Sequence, residues 1–162
     1  MSVSIRPATE DDVDFLEALY RHGEVRPFLA AGRSYDREWV AGNLDGLVVT
    51  ELDGEPAGAM AWEVRSERNG IVHVGGLAVH PDFRGRRIAD EAARLLQRYL
   101  FHERGFHRIE LEIYGFNERA QRHAERAGFV REGVRRQAYR REGGWADGVL
   151  YAVVAEDVDD PR

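Results

Sequence analysis

A short basic segment with one glycine, HPDFRGRRIADEA at His80–Ala92, joins a strand-like run to a helix-like run. Arginines flank Gly85 in this segment, and the apolar period of the helix begins at Ile88. The first amides of a helix have no partners inside it, and together with the helix dipole they attract phosphate or pyrophosphate. Glycine lets the backbone approach such an anion closely. These residue types in this order predict an anion site, and the alternative is a solvated loop whose charges only aid solubility.

The strand before this segment carries an adjacent glycine pair, Gly75 and Gly76, inside a run of β-branched residues. Glycine weakens strand pairing, and inside a strand it marks a bulge or a close approach by another backbone or a ligand. A ligand arm that contains amides could pair with the backbone of Leu77–Val79 while its phosphates bind at Gly85–Ala89. That description fits pantetheine and pyrophosphate, and a bulge that only shapes the sheet is the alternative.

Composition excludes several kinds of chemistry. The chain of 162 residues has no cysteine, which removes disulfides, zinc-thiolate sites and cysteinyl intermediates. It also has no lysine, which removes a lysine Schiff base and a Walker-type phosphate loop. The net charge is −6, yet the segment Arg84–Arg141 holds 15 Arg against 8 acidic residues. An acidic chain with one basic segment favours a compact anionic ligand over a long nucleic acid.

The hydrophobic pattern predicts a mixed α/β (α+β) fold. Alternation predicts strands at VSIRPAT, LVVTEL, AGAMAWEV, IVHVGGLAV and RIELEIY, and a closing hairpin of FVREGVRRQAYR with WADGVLYAVVA. Helical periods cover about Asp11–His22, start again at Ile88, and start once more after Asn117, a predicted N-cap. No apolar run approaches the roughly 18 residues of a membrane span, and the N-terminus lacks the pattern of a signal peptide. We therefore expect a soluble, cytoplasmic protein with one domain over residues 1–154 and an acidic tail over 155–162.

Three segments stand in order along the chain: GGLAVHPDFRGRRIADEAARLL, LEIYGFNERAQRHAERAGFVREGVRR and a closing GGWADGVLYAVV. Together they resemble the GNAT superfamily of acyl-CoA-dependent N-acyltransferases, in the group that contains ribosomal-protein N-terminal and spermidine acetyltransferases. The resemblance covers about Ile5–Val154. It implies a mixed, mostly antiparallel sheet with a splayed parallel strand pair, flanked by helices, and it implies acetyl-CoA as the co-substrate.

The resemblance also assigns cofactor-binding residues. The family's pyrophosphate loop reads Arg or Gln, two residues, Gly, one residue, and Gly or Ala. Arg84 and Ala89 match this pattern, whereas Arg87 stands where glycine is usual. Asn117 matches an Asn that contacts the pantetheine arm, with a simple helix cap as the alternative, and Arg126 matches a basic position near the phosphates, with a solvated helix residue as the alternative. The implied set is Leu77, Ala78, Val79, Arg84, Gly85, Arg86, Arg87, Ile88, Ala89, Asn117 and Arg126.

Catalysis needs a base, because an amine attacks a thioester only when unprotonated, and deprotonating a lysine-like amine at pH 7 costs roughly 4 to 5 kcal/mol. His73 resembles in position the Glu that many GNAT enzymes carry on this strand, and imidazole titrates in a useful range. A half-buried structural histidine is the alternative. Glu63 on the adjacent strand is the reserve base, with a surface role as its alternative. The family's acidic tyrosine, five residues before the Phe of the GF pair, is replaced here by Ala124. The alternatives are that water, His123 or Tyr114 protonates the leaving thiolate, or that no acid is needed because a CoA thiolate is a tolerable leaving group.

The sequence thus predicts an enzyme that moves an acetyl group from acetyl-CoA directly to a primary amine of a small molecule or a protein N-terminus, without a metal. The arginines and aromatic residues of Glu24–Asn43, which resembles the acceptor-binding region in location, argue against a purely polycationic acceptor. A second hypothesis, based on Arg87 and Ala124, is a catalytically weak acyl-CoA-binding sensor or regulatory module. Nucleic-acid binding is a third hypothesis that the overall charge disfavours, and we expect no membrane partner.

The closing strands raise the question of oligomeric state. Members of the family often dimerise through these strands, so the resemblance implies a homodimer. Trp145 and Asp147 match a pattern of the group, and we interpret both as structural or interface residues, because aromatic side chains in such strands usually belong to the core.

Overall fold

The computed structural model describes residues 1–158, so that the last four residues of the predicted acidic tail lie outside the described part. Within residues 1–158 the order of strands and α-helices is β1 (Val3–Pro7), α1 (Val13–Arg21), α2 (Arg37–Gly42), β2 (Leu47–Leu52), β3 (Glu55–Ser66), β4 (Ile71–Val79), α3 (Ile88–Arg98), β5 (Arg108–Tyr114), α4 (Glu118–Arg126), β6 (Val130–Arg141), β7 (Gly144–Val154) and α5 (Ala155–Val158).

The strands form a sheet in the order β1-β2-β3-β4-β5-β7-β6. Strands β1 and β2, β2 and β3, β5 and β7, and β6 and β7 pair in antiparallel fashion. Strands β4 and β5 are parallel, and their register joins Ile71–His73 to Arg108–Glu110. The mixed, mostly antiparallel sheet with a parallel pair is therefore confirmed, and so are the strands predicted at IVHVGGLAV and RIELEIY.

The chain divides into two compact units. The first unit comprises Met1–Glu63 and Val74–Leu95. Its main core forms where α1 and α2 pack on β2 and β3, with Leu16, Tyr20 and Val49 completely buried. A smaller apolar cluster contains Ile88, the first residue of α3. Burial of Ile88 fixes the start of that helix, which is the position that the sequence predicts.

The second unit comprises Val64–His73 and the chain from Leu96 onward. Along β5 and β7 the alternate residues Ile109, Val149 and Tyr151 are buried. Because side chains of a strand alternate between the two faces, the charged residues of β5 point to the opposite face of the sheet. One face of this unit is thus apolar and the other is polar.

Local signals at the helix ends agree with the structure. A capping box joins Thr9 and Asp12 ahead of α1, and the side chain of Asn117 accepts a hydrogen bond from the Ala120 amide at 3.2 Å. Gly105 and Gly128 follow the helical segments with φ of 74° and 94°, as left-handed caps do. No helix of residues 1–158 is long and apolar enough to cross a membrane.

Candidate active site

The loop before α3 exposes a run of main-chain amides. After a helical turn at Pro81–Phe83, Gly85 adopts φ of 82° and the helix begins at Ile88. Within residues 1–158, the amides of Gly85–Ala89 donate to no protein acceptor. A Cβ added at Gly85 would meet no atom within 4 Å, so the loop is open where the glycine lies. Consecutive unpartnered amides at a helix start suit a phosphate or pyrophosphate.

Two of the three loop arginines contact the protein. The guanidinium of Arg84 donates to the main-chain carbonyl of Glu24 at 3.0 Å and lies 3.8 Å from the Glu24 carboxylate. The guanidinium of Arg86 lies 6.0 Å from the Phe83 ring centre. Arg87 is exposed and has φ of 55°, a left-handed conformation that glycine adopts without strain. The glycine usual in the family at this position is thus explained by the backbone.

The glycine pair of β4 shapes the strand, which is the alternative that sequence reasoning left open. Gly76 has φ of 56°, and its carbonyl accepts a hydrogen bond from the hydroxyl of Tyr20 at 2.9 Å. A Cβ at Gly76 would lie 3.1 Å from that hydroxyl. Two residues further, Ala78 is buried in the core of the first unit, and its carbonyl lies against Gly58 of β3. The main chain at Ala78 therefore packs closely against β3.

His73 lies on the polar face of the second unit. It pairs in register with Glu110 of β5 and is half-buried. A pocket of about 250 Å³ opens beside it. The lining residues are Arg65, His73, Arg108, Glu110, Leu111, Glu112, Glu132, Arg135, Leu150 and Tyr151. The predicted base therefore contacts a cavity rather than the apolar core.

Ion pairs organise this pocket. Arg108 donates from Nε to Glu110 at 2.8 Å and from Nη1 to Glu132 at 2.9 Å. The Arg108 guanidinium lowers the pKa of Glu132 below its usual value. Arg135 donates to Glu112 at 3.1 Å and to the Tyr139 hydroxyl at 3.0 Å. The pocket thus combines alternating positive and negative groups on a rigid sheet.

A phenol also lies at this pocket's edge. Burial, with the adjacent Glu112 carboxylate, raises the pKa of Tyr139 to about 12. Its ring meets that of Tyr114 edge to face at 5.4 Å, and Tyr114 stacks on Phe116 at 5.1 Å. A phenol with a raised pKa keeps its proton at neutral pH and can act as a hydrogen-bond donor.

Glu63, the reserve base, is exposed and belongs to an ion pair in the first unit. Its carboxylate lies 3.7 Å from the Arg33 guanidinium, and Arg33 lies 5.9 Å from the Trp39 ring centre. The surrounding segment is built on aromatic packing, since the rings of Tyr35 and Trp39 are 4.7 Å apart and Arg26 lies over Tyr35. This segment, which sequence analysis describes only as irregular, has a defined aromatic framework.

The remaining predicted residues occupy α4 and its start. Asn117 is half-buried and caps α4, as its helix-cap alternative predicts. This capping role is compatible with ligand binding. Arg126 is exposed at the last turn of α4. Ala124 is 1% exposed, which leaves no phenol at the family's acid position.

The two predicted structural or interface residues of the closing hairpin differ in burial. Trp145 is 56% exposed and therefore lies outside the core of its unit, and the Arg140 guanidinium covers its ring at 4.6 Å. The reason is its position near the turn, beyond the buried part of β7. Asp147 is structural as expected, because its carboxylate accepts the Gln137 amide at 2.7 Å, where β6 bulges and Gln137 adopts φ of 49°.

Sequence reasoning missed the charged face of β5. Arg108, Glu110 and Glu112 alternate with apolar residues in RIELEIY, so they occupy one face of a strand in the middle of the sheet. Charged residues at successive positions on one face of an inner strand are unusual, and this pattern could have predicted the polar pocket. Arg135 and Tyr139 gave no such signal, because only the β6 bulge brings them to this face.

Known proteins share this sequence pattern and fold. A sequence model of the acetyltransferase (GNAT) family matches residues 13–129. The chain belongs to the GNAT family of acetyltransferases and has the fold of its solved structures. It is 27% identical over 127 residues to the SPbeta prophage-derived uncharacterized N-acetyltransferase YokL of Bacillus subtilis, a match that covers 76% of this chain and 71% of that protein.

Solved structures show the same fold. RimL, a ribosomal alpha-N-protein acetyltransferase in complex with coenzyme A, has a TM-score of 0.83 at 22% identity, covering 98% of this chain and 97% of its own. The spermidine N-acetyltransferase from Vibrio cholerae, in complex with CoA and spermine, has a TM-score of 0.84 at 17% identity, covering 96% and 97%. This chain is accordingly an N-acetyltransferase of a family whose fold uses acetyl-CoA.

Proposed function

We propose that this protein transfers an acetyl group from acetyl-CoA directly to a primary amine of a small molecule or a protein N-terminus. The observation that carries the proposal is the run of unpartnered amides at Gly85–Ala89, which fits a pyrophosphate in a chain of the GNAT family. The open space at Gly85 leaves room for the anion.

Several residues would hold the co-substrate. The amides of Gly85–Ala89 bind the pyrophosphate, with Arg84, Arg86 and Arg87 supplying positive charge around it. The main chain of Leu77–Val79 pairs with the amides of the pantetheine arm. Asn117 and Arg126 act as further contacts to the arm and to the phosphates. Acetyl-CoA supplies the thioester whose acetyl group is transferred.

His73 acts as the general base in this proposal. Its imidazole accepts a proton from the acceptor amine, whose nitrogen then forms a bond to the acetyl carbon while the carbon–sulfur bond breaks and sulfur keeps the electron pair. Its position on the wall of a polar pocket supports this role. Glu63 takes second place, because it is exposed and its carboxylate is paired with the Arg33 guanidinium at 3.7 Å.

The leaving thiolate needs no protein acid in this proposal. Ala124 offers no proton, and the raised pKa of Tyr139 makes its phenol a poor proton donor for transfer. Water can protonate a thiolate, whose conjugate acid has a pKa near that of a free thiol, roughly 8.5.

The first experiment follows CoA release with a thiol reagent, using acetyl-CoA and a panel of amines and N-terminal peptides. The chain's own lack of cysteine keeps the background low. We expect turnover with one acceptor class, and a fall in kcat of about 100-fold in His73→Ala because a general base contributes at least that factor. His107→Ala, a change at an exposed histidine of the same unit, serves as the matched control and should retain activity.

The sensor hypothesis remains the alternative function, supported by the strained Arg87 and by Ala124. It predicts that acetyl-CoA raises the melting temperature while no amine releases CoA. Equal activity of His73→Ala and wild type would remove His73 as the base and leave Glu63 to be tested in the same way.

A homodimer through the closing hairpin belongs to the same proposal. The apolar residues Val130, Val134 and Trp145 are 59%, 40% and 56% exposed. Exposed apolar side chains at the edge of a sheet are typical of a surface that contacts another protein. Size-exclusion chromatography with light scattering tests it, and a monomeric mass at micromolar concentration would contradict it. A cytoplasmic location stays a prediction of the sequence.

A further inference from the structure

The pocket beside His73 is small and contains charges of both signs. Its volume of about 250 Å³ lies below the roughly 300 Å³ at which pockets for drug-sized ligands begin. The charged lining consists of Arg65, Arg108, Arg135, Glu110, Glu112 and Glu132. Three guanidinium groups and three carboxylates give formal neutrality, which suits a ligand that itself carries both charges and does not suit a polycation.

Arg108 uses each of its three nitrogens in a hydrogen bond to a carboxylate. Its Nε donates to Glu110, and both of its terminal nitrogens donate to Glu132. Its side chain is only 25% exposed. Arg108 therefore joins β5 to β6 and fixes the wall of the pocket.

Arg135 differs from Arg108 in the edge it uses. Every hydrogen bond it donates leaves from Nη1, to Glu112 and to the Tyr139 hydroxyl. Within residues 1–158, its Nε and Nη2 donate to no protein acceptor, and the side chain is 54% exposed. In a guanidinium the Nε–H and one Nη2–H point the same way and form the edge that binds a carboxylate with two parallel hydrogen bonds.

The neighbours of Arg135 hold that edge in position. Glu112 is 18% exposed and neutralises the Nη1 side, and the Tyr139 ring lies 5.6 Å from the guanidinium carbon. The bulge that places both residues is pinned by the Asp147 carboxylate on the Gln137 amide. The donor edge is thus preorganised before a ligand arrives, which reduces the entropy lost on binding.

We propose that the acceptor is a small molecule carrying a carboxylate as well as its amine, an amino acid or a short peptide, whose carboxylate is bound by the Nε and Nη2 edge of Arg135. This inference rests on the proposed function, because it takes His73 as the group that the amine must reach. Both residues line the same cavity of about 250 Å³. The acceptor of the reaction is therefore distinguished from a polyamine by its acidic group.

The test compares matched acceptors that differ only in this group. Free amino acids and dipeptides are assayed for CoA release against the same compounds as C-terminal amides, with spermidine included. We expect kcat/KM to be about 10- to 100-fold higher for the carboxylates, the range of one charge-assisted pair of hydrogen bonds. A larger rate for dipeptides than for amino acids would identify the peptide as the source of the carboxylate.

Arg135→Gln separates a binding role from a structural one. It should raise KM for the carboxylates toward that of the amides, so that the ratio of the two kcat/KM values falls toward one, and Arg135→Lys should restore only part of the preference because it lacks the two-donor edge. Arg131→Gln, an exposed arginine of the same strand outside the pocket, is the matched control. An equal loss for carboxylates and amides would show that Arg135 only supports the fold and would overturn the inference.

Other outcomes separate the inference from the proposed function. Turnover of amides or spermidine as fast as carboxylates overturns the inference and leaves the acetyltransferase intact. If no amine is turned over, calorimetric titration of the free amino acids into the protein with CoA decides the inference, since absence of binding overturns it. Loss of acetyl-CoA binding itself would sink the proposed function independently.

Discussion

Single residues show where this chain departs from the usual pattern of its family. Arg87 adopts φ of 55° immediately before α3, in a loop whose amides donate to no acceptor among the described residues. A side chain with a Cβ costs roughly 1–2 kcal/mol in this conformation, whereas glycine adopts it freely. The chain therefore carries local strain at the expected pyrophosphate loop.

Replacing Arg87 tests this strain. The Arg87→Gly variant should be more stable than Arg87→Ala by about 1 kcal/mol, because only glycine avoids the left-handed penalty. At the neighbouring Arg86, which has no positive φ, the order should reverse, with the Ala variant more stable by roughly 0.5 kcal/mol. Urea unfolding of the four variants measures both differences, and the same order at both positions would contradict the assigned backbone conformation.

At the scale of elements, the conformation of β4 at Gly76 depends on a contact with α1. Gly76 combines φ of 56° with a carbonyl that accepts the Tyr20 hydroxyl, and Tyr20 is completely buried. Burial raises the pKa of Tyr20 far above its usual value, so the hydroxyl remains a donor at every working pH. The helix thus determines the path of the strand whose main chain is expected to bind the pantetheine arm.

Gly76→Ala should destabilise the protein by about 2 kcal/mol, because the substitution adds left-handed strain and brings a Cβ within 3.1 Å of the Tyr20 hydroxyl. Tyr20→Phe should cost about 1 kcal/mol or more, since it leaves a buried carbonyl without its donor. Gly23→Ala, where no atom lies within 4 Å of the added Cβ, is the control and should change stability by less than about 1 kcal/mol. Additive effects in the Gly76 and Tyr20 double variant would indicate that the two residues act separately.

At the scale of the whole molecule, stability in acid depends on one buried carboxylate. Asp12 is 5% exposed and accepts two hydrogen bonds from Arg6, at 2.7 and 2.8 Å, as well as one from the Thr9 amide. The Arg6 guanidinium holds the pKa of Asp12 below its usual value of 3.8. Because the folded pKa is the lower one, this contribution is complete above about pH 4 and is lost as the pH falls through the folded pKa.

Asp12→Asn should lower the free energy of unfolding at pH 7 by about 2 kcal/mol, less than a fully buried ion pair because Arg6 is 36% exposed. Its stability should also fall less steeply than that of wild type below pH 4, so that the two proteins converge in acid. Asp11→Asn, at the exposed neighbouring carboxylate, is the control. Parallel curves for wild type and Asp12→Asn in urea titrations from pH 7 to pH 2.5 would show that Asp12 is not the group responsible.

The sequence predicts most elements because their signals are local. The capping residues at Thr9 and Asn117, the buried start at Ile88 and the alternation of RIELEIY each specify an element without distant contacts. Glu24–Asn43 could not be described in this way, because its short helical turns depend on packing among Tyr20, Tyr35 and Trp39 rather than on a hydrophobic period. The exposure of Trp145 was missed for the same reason, since composition does not distinguish the buried part of a strand from its end.

The sequence by itself determined the family resemblance, the elements and the anion loop, since these follow from residue type and short spacing. Only the tertiary structure decided that Arg108 and Glu132, 24 residues apart, close the wall of a pocket, and that the β6 bulge brings Arg135 to it. The tertiary structure also decided the backbone conformations of Gly76 and Arg87. The conformation of Gly76 depends on Tyr20, 56 residues away in the sequence. Side-chain pairing across strands depends on register and bulges, and these are fixed by the packing of the whole sheet rather than by any short stretch of sequence.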